Sequence, residues 1–196
     1  MNAKRTFDLT LAGIGAVVAA PVLLLIAGVV ALEDSGPVFY GQRRVGRNGR
    51  PFRMWKFRTM YPDADKHGLL TVDGVSRVTP TGRWLRRWKL DELPQLWNVL
   101  RGEMSLVGPR PEVELYVNKY SPEQRQVLEL VPGITDPASI TYRNESALLA
   151  EAGDPEQYYV QTLMPEKIRL NLEYASRASV FSDLRLVLRT IGVMFR

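Results

Sequence analysis

The residues with the clearest chemical potential lie between Arg86 and Arg110. Two adjacent carboxylates, Asp91 and Glu92, come just before an apolar run with helical spacing. Basic residues precede the two acids, and the segment Gly-Pro-Arg-Pro follows them at 108–111. Carboxylates, guanidinium groups and the backbone N–H groups of a helix start together favour a phosphate-handling site that uses a metal ion. Helix capping by the acids is the structural alternative.

Asp91 and Glu92 are expected to have different roles. Neighbouring residues on a helix project about 100° apart, so the two carboxylates cannot present equally to one atom. We expect Asp91 to be the N-cap of a helix that has Pro94 in its first turn. The helix start and the nearby Lys and Arg side chains then favour the ionised form of Asp91, which a carboxylate nucleophile requires.

The composition narrows the possible chemistry. The chain has 196 residues and no cysteine, which excludes disulfides, thiolate metal sites and a cysteine nucleophile. His67 is the single histidine, and a zinc site is not expected. Residues 36–101 hold fourteen Lys or Arg and five Asp or Glu, which indicates an anionic partner such as a phosphorylated substrate, a membrane surface or a nucleic acid.

An uncharged segment at 9–32 predicts a membrane anchor. As a helix its 24 residues would be about 36 Å long, against a bilayer core of about 30 Å. Pro21 lies near its middle and predicts a bend. Two forms fit: a kinked transmembrane helix, or a helix-break-helix that re-enters the same leaflet. Lys4 and Arg5 on one side and the basic region on the other favour the re-entrant form, because both flanks then lie in the cytoplasm.

Two strands and several helices are expected after the anchor. A hairpin is predicted from Val38 to Arg58 around an Asn-Gly turn, with Lys56 and Arg58 on one face of its second strand. A helix that contains tryptophan and arginine residues is predicted from Thr81. It either lies in the lipid headgroup layer or packs its tryptophans into the core. The chain ends in a basic amphipathic helix. The predicted fold is thus mixed α/β and mostly helical, with interfacial amphipathic helices.

Several segments carry a resemblance to a known family. They include Lys-Arg at 4–5 and the motifs GPVF (36–39), QRRVG (42–46), KFRTM (56–60), LDELPQLWNVL (90–100), MSLVGPRP (104–111) and PGIT (132–135). Together they cover nearly the whole chain. On these motifs the chain resembles the monotopic phosphoglycosyl transferases, bacterial sugar transferases that begin glycan and exopolysaccharide assembly.

The resemblance implies a reaction. The family transfers a sugar-1-phosphate from a UDP-sugar to undecaprenyl or another polyprenyl phosphate, giving a polyprenyl-diphosphate sugar and UMP. It uses Mg²⁺ and a covalent aspartyl intermediate. It also implies residues 1–34 as a re-entrant anchor and 35–196 as a catalytic domain on the cytoplasmic face of the bacterial inner membrane. Nucleic acid is not an expected partner, and the oligomeric state is open, a homodimer being one option.

The resemblance also assigns roles to residues. Asp91 would be the nucleophile and Glu92 the second acid, and both are candidate Mg²⁺ ligands. The expected substrate and phosphate ligands are Lys56, Arg58, Arg86, Pro109, Arg110 and Asp183. Lys4, Arg5 and Pro21 belong to the anchor.

The chain departs from the family pattern at two places. Ala20-Pro21 replaces the Ser-Pro pair of the anchor break, and Asp136-Pro137-Ala138-Ser139 replaces the usual Gly and Ala-Gln after Thr135. If this loop contacts the sugar, the sugar cannot be carried over from better-known relatives. The alternatives to the transferase are a membrane-anchored hydrolase with two carboxylates and a non-enzymatic membrane adaptor.

Overall fold

The computed structural model describes residues 3–33, 36–61 and 78–194. The loop that contains His67 and the end of the anchor at 34–35 lie outside these ranges. The helices are α1 (Ala3–Glu33), α2 (Pro80–Arg87), α3 (Gln95–Arg101), α4 (Glu114–Val117), α5 (Pro137–Thr141), α6 (Glu145–Glu151), α7 (Pro155–Tyr158), α8 (Met164–Ala175) and α9 (Val180–Met194). The strands are β1 (Phe39–Val45), β2 (Pro51–Phe57), β3 (Ser105–Val107) and β4 (Gly133–Thr135). The mostly helical fold with a short hairpin is therefore confirmed.

α1 is one continuous helix of 31 residues with Pro21 inside it. By length and composition it could cross a membrane. Its middle presents apolar side chains to the surroundings, among them Val17 at 76% and Leu24 at 74% exposure. The membrane anchor is thus supported. The helix is not interrupted at Pro21, where a break was one expectation, and the re-entrant path and its cytoplasmic side stay predictions.

Both ends of α1 pack against the rest of the chain. Near its start, Ala12 is buried in an apolar cluster that also contains Val99 of α3. Near its end, Val30 is buried in a second cluster with Phe57 and Leu85. The boundary predicted at residue 34 stays a prediction, but the anchor shares two apolar clusters with the remaining fold.

Polar side chains near the start of α1 also bind the rest of the fold. Arg5 donates to two carbonyls in the last turn of α3, at 2.6 and 3.1 Å, where helix carbonyls otherwise have no partner. Asp8, which is 3% exposed, accepts hydrogen bonds from Ser105 Oγ at 2.8 Å and from the Leu106 N–H at 3.1 Å. These residues therefore do more than flank an apolar segment, because they attach it to α3 and β3.

The hairpin forms as the sequence predicts. β1 pairs antiparallel with β2, from Phe39 opposite Phe57 to Val45 opposite Pro51. Asn48 and Gly49 take positive φ angles of 56° and 74° in the connecting turn, which explains the Asn-Gly pair.

The segment around the two acids differs from the prediction. α2 ends at Arg87, and Lys89 takes a left-handed backbone with φ 54°. A 3₁₀ turn then spans Leu90–Glu92, and α3 begins only at Gln95 with Pro94 as its N-cap. The expectation that Asp91 is the N-cap of the α-helix was wrong. Asp91 lies inside the 3₁₀ turn that follows Lys89, and the α-helix begins only after this turn.

A parallel pair of short strands supports the Gly-Pro-Arg-Pro segment. β3 and β4 pair with Ser105 opposite Gly133 and Val107 opposite Thr135. A Cβ atom on Gly108 would lie 2.2 Å from the Val131 carbonyl oxygen, so only glycine allows this approach. The next residues, Pro109 and Arg110, leave the sheet at this crossing.

The chain after Thr135 continues with a short helix. Asp136 caps this helix, α5, through a bond from the Ser139 N–H at 3.0 Å. A π-helical turn at Tyr159–Leu163 joins α7 to α8. α9 carries the exposed apolar residues Phe181 and Leu188, as the amphipathic pattern of the tail predicts.

Candidate functional site

Glu92 lies at the centre of a buried ion cluster. Its Oε1 is 2.9 Å from Lys56 Nζ and 2.5 Å from Arg110 Nη2, and its Oε2 is 3.2 Å from Arg110 Nη1. The arginine thus binds the carboxylate with two nitrogens, which is its preferred geometry. The hairpin, the 3₁₀ turn and the segment after β3 each supply one member of this cluster.

Burial and the neighbouring charges in the cluster shift the pKa of each of its members. Burial alone would raise the pKa of Glu92, but Arg110 and Lys56 outweigh it and hold that pKa well below its usual range. Burial lowers the pKa of Lys56 to about 8, although Glu92 opposes the shift. Glu92 raises the pKa of Arg110 despite burial. Glu92 is therefore an ionised carboxylate engaged with two cations.

Asp91 is buried beside this cluster but is not part of its hydrogen bonds. It is 5% exposed, and its Oδ1 is inaccessible and has no hydrogen-bond partner among the described residues. Burial raises the pKa of Asp91, and the charge of Glu92 raises it further, whereas Lys56, Lys89 and Arg86 act in the opposite direction. The local cations act in the expected direction, but burial and the adjacent Glu92 outweigh them, so the expected net bias of Asp91 towards its ionised form was wrong.

Arg86 and Arg58 are each held by a hydrogen bond to another part of the chain. Arg86 Nε donates to Thr59 Oγ1 at 2.8 Å, and its charge acts on Asp91. Arg58 Nε donates to the Pro37 carbonyl at 2.7 Å, just after β2 ends. Arg58 is thus held at the start of the hairpin, whereas its expected companion Lys56 contacts Glu92.

Pro109 and Arg110 border a small recess. The Pro109 carbonyl accepts from the Gly133 N–H at 3.0 Å, which fixes the segment against β4. The recess has a volume of about 40 Å³, room for a few water molecules. Asn171 of α8 lines it, and so does Lys167, which pairs with Glu145 at 2.7 Å. Arg110 and residues of α8, which come after Thr135 in the chain, thus line the same recess.

Asp183 lies in a different ion pair. Its Oδ2 is 2.6 Å from Lys4 Nζ, and its Oδ1 accepts from the Tyr174 hydroxyl at 2.7 Å. Lys4 also donates to the Val107 carbonyl at 3.1 Å. A substrate role for Asp183 stays a prediction. Its contacts attach α1 to α9 and β3, and its charge is already compensated by the anchor.

Some residues of the site were not identified from the sequence. Lys89 starts the 3₁₀ turn with a left-handed backbone, which costs about 1 kcal/mol for a residue with a side chain. Nothing in its residue type indicates this conformation. Thr59 orients Arg86, and the motif around it indicated the segment but not this contact.

The residues fit a magnesium ion that is shared with a substrate. Among the described residues there is no group of three or more His, Asp or Glu that could hold a metal. Mg²⁺ is commonly held by one or two carboxylates together with substrate phosphates and water. Asp91, whose carboxylate forms no ion pair with the described residues, would supply a hard oxygen donor of this kind, whereas Glu92 would have to exchange a cation for the metal.

Comparison with known proteins finds a family model and relatives that are described as sugar transferases. The sequence model of the family described as bacterial sugar transferase matches residues 1–196. The uncharacterized sugar transferase EpsL of Bacillus subtilis is 39% identical over 97% of this chain and 86% of its own length. The UDP-glucose:undecaprenyl-phosphate glucose-1-phosphate transferase of Caulobacter vibrioides is 38% identical over 96% of this chain and 68% of its own. The galactosyl transferase CpsE of Streptococcus agalactiae is 36% identical over 98% of this chain, which spans 42% of that longer protein.

Proposed function

This chain belongs to the bacterial sugar transferase family, and we propose that it transfers a sugar-1-phosphate from a UDP-sugar to undecaprenyl or another polyprenyl phosphate. The enzyme class is that of a phosphoglycosyl transferase. The observation that supports the residue roles is the unequal state of the two acids. Glu92 is saturated by cations, whereas Asp91 keeps a buried oxygen with no partner in the described part of the chain.

The proposed reaction has two steps at one phosphorus. An oxygen of Asp91 attacks the sugar-bearing phosphorus, and the bond to the bridging oxygen breaks so that UMP leaves with the electron pair. A phosphate oxygen of the polyprenyl phosphate then attacks the same phosphorus and releases Asp91. The product is a polyprenyl-diphosphate sugar.

The cations around the two acids would bind and orient the donor. Arg110 and Lys56 are held by Glu92 at the edge of the site, and Arg86 is held by Thr59 beside Asp91. Guanidinium and ammonium groups match the charge of a diphosphate. When bound, Mg²⁺ would supply positive charge that favours ionised carboxylates and neutralises phosphate oxygens. Chelation by EDTA should stop the release of UMP, and added Mg²⁺ should restore it.

The sugar would be selected near the recess beside Arg110. Glu145, which follows the segment that departs from the family pattern, pairs with Lys167 at the wall of this recess. Relatives named for glucose and for galactose both match this chain, so the family match alone does not select a sugar. Assays with a panel of UDP-sugars would identify the donor.

A covalent adduct on Asp91 is the decisive test of the reaction. Purified protein is incubated with the identified UDP-sugar, quenched, digested and analysed by mass spectrometry. We expect a phosphosugar on the peptide that contains Asp91, and lipid-linked sugar after polyprenyl phosphate is added. Free sugar without a lipid product would favour the hydrolase, and no turnover of any UDP-sugar would favour the adaptor.

The anchor is proposed to enter and leave the same leaflet, with the catalytic part on the cytoplasmic face of the inner membrane. The support is that residues near both ends of α1, such as Arg5 and Val30, contact the same folded unit. A helix that crosses the bilayer would separate its ends by about 30 Å of hydrocarbon. Single cysteines at Asn2 and Ser35, which lie outside the described residues, can be probed in intact cells. Labelling of Asn2 alone from outside would establish a span.

A further inference from the structure

Gln95 is completely buried, and its side chain lacks the partners that burial demands. Its exposed fraction is 0%, and neither Oε1 nor Nε2 has a hydrogen-bond partner within the residues that the structure describes. Burial of an unpaired amide is unfavourable, and nearly all buried polar groups in folded proteins are paired. A core position of this kind would be more stable with an apolar side chain of the same size.

The neighbours of Gln95 show which way it faces. Glu92, Gln95 and Asn98 are spaced three residues apart on the helical path that runs from the 3₁₀ turn into α3. Glu92 contacts β2 through Lys56. Asn98 also contacts β2, since its Oδ1 accepts from the Trp55 N–H at 3.1 Å. Gln95 therefore lies on the buried side that faces β2, at the end nearest the two acids.

Asp91 supplies the complementary unpaired group. Its Oδ1 is an acceptor and Gln95 Nε2 is a donor, and both atoms are inaccessible. The two residues are four apart, and the backbone between them stays helical, with a bond from the Leu93 N–H to the Leu90 carbonyl at 3.3 Å. Of the two Asp91 oxygens, Oδ1 is the one that is both closed off from solvent and unpaired within the described ranges.

We infer that Gln95 is a positioning residue for the Asp91 carboxylate. Its Nε2–H would donate to Asp91 Oδ1 during the reaction, through one buried water or after a side-chain rotation, and leave Oδ2 to attack phosphorus. A neutral amide can hold the carboxylate in one orientation without cancelling its charge. This inference rests on the proposed role of Asp91 as the nucleophile.

The inference predicts opposite changes in stability and turnover for Gln95→Met. The midpoint of thermal unfolding, measured on the full chain in detergent, should stay level or rise, because an unpaired buried amide is removed. The kcat should fall by about 10-fold to 100-fold, the range for a lost hydrogen bond to a charged group. The KM for the UDP-sugar should change by less than about 2-fold, since a positioning residue acts after binding. The initial rate of adduct formation on Asp91 should fall in step with kcat.

Asn98→Leu is the matched control. Asn98 lies on the same face and is also fully buried, but its amide is paired with backbone groups of β2 and with Glu103. Its loss should lower the unfolding midpoint, which is the result expected of a structural amide. If Gln95→Met does not fold, Gln95→Asn, which keeps the amide but shortens its reach, takes its place.

The possible results separate this inference from the proposed reaction. A wild-type protein that turns over but never carries an adduct would overturn the covalent route and this inference together. A wild-type adduct with unchanged kcat in the Gln95 variant would overturn this inference alone. The positioning role would equally be refuted by a variant that loses stability while its folded fraction keeps the wild-type kcat.

Discussion

Two buried acidic centres of this protein contain similar residues but differ in whether every carboxylate has partners for its oxygens. Asp183 is 1% exposed, with Lys4 on one oxygen and the Tyr174 hydroxyl on the other. The pair of Asp91 and Glu92 is buried to a similar degree, and Lys and Arg side chains surround it as well. Within this pair, Glu92 is bonded to cations, whereas Asp91 keeps an oxygen with no hydrogen-bond partner among the described residues.

This difference separates a structural acid from a candidate reactive one. A carboxylate whose oxygens are both bonded contributes to stability and has little capacity for another ligand. A buried carboxylate with an unpaired oxygen carries a cost in the folded protein that a metal, a substrate or a donor can relieve. The centre at Asp183 therefore attaches the anchor, and the centre at Asp91 is suited to chemistry.

The largest effect is expected from Asp91→Asn. The amide has nearly the same shape but is a poor nucleophile, so turnover should fall by about 10³-fold or more. The unfolding midpoint should stay level or rise, because the amide removes a buried charge and Oδ1 makes no bond to the described part of the chain. Measurement of UMP release and of the melting curve tests both parts. Wild-type UMP release in this variant would refute the role of Asp91.

Glu92→Gln should reduce both turnover and stability. It leaves Lys56 and Arg110 buried without their anion, and breaking a buried ion pair costs about 3 kcal/mol or more. Turnover should fall by about 100-fold, because the two cations lose their orientation. Urea unfolding and kcat measured on the same preparation check the result. Arg110→Lys serves as the companion variant, since it keeps the charge and loses the two-nitrogen contact. A Glu92 variant as stable as the wild type would show that the cluster does not hold these cations.

Asp183→Asn should affect stability more than turnover. The Asn can still bond Tyr174 but loses the charge opposite Lys4. The cost should be about 1 to 2 kcal/mol, a reduced value because the Lys4 side chain is 38% exposed. Denaturant unfolding of single and double variants with Lys4→Met would isolate the pair energy. A large loss of kcat in the folded Asp183 variant would contradict the distinction between the two centres.

The smallest effect is expected from Ser105→Ala. The serine hydroxyl bonds Asp8 at 2.8 Å, and Asp8 keeps its second partner, the Leu106 N–H. A loss of about 1 to 2 kcal/mol is expected, because the same hydroxyl also accepts from the Val107 N–H at 3.3 Å. Thermal unfolding gives the shift, and kcat should stay at the wild-type value. A fall in kcat would indicate that the attachment of α1 affects the catalytic centre.

Local features of the fold could be predicted from residue order alone. The apolar run from Leu9 to Leu32 indicated a long helix, and the Asn48-Gly49 pair indicated the hairpin turn. Both depend on interactions within a few residues, such as helical periodicity and positive φ angles. The adjacent Asp91 and Glu92 were also recognisable as a candidate site, because their motif is continuous in the chain.

The sequence by itself thus determined the anchor, the hairpin and the position of the acidic pair. Tertiary structure decided how the two acids differ, because Glu92 receives its cations from Lys56, 36 residues earlier, and Arg110, 18 residues later. It also set the direction of the Asp91 pKa, since burial depends on the packing of the whole fold. The same reason applies to Lys4 and Arg5, which bond groups that lie 94 or more residues away along the chain. Contacts of this range leave no local periodicity, and they appear only when the chain is folded.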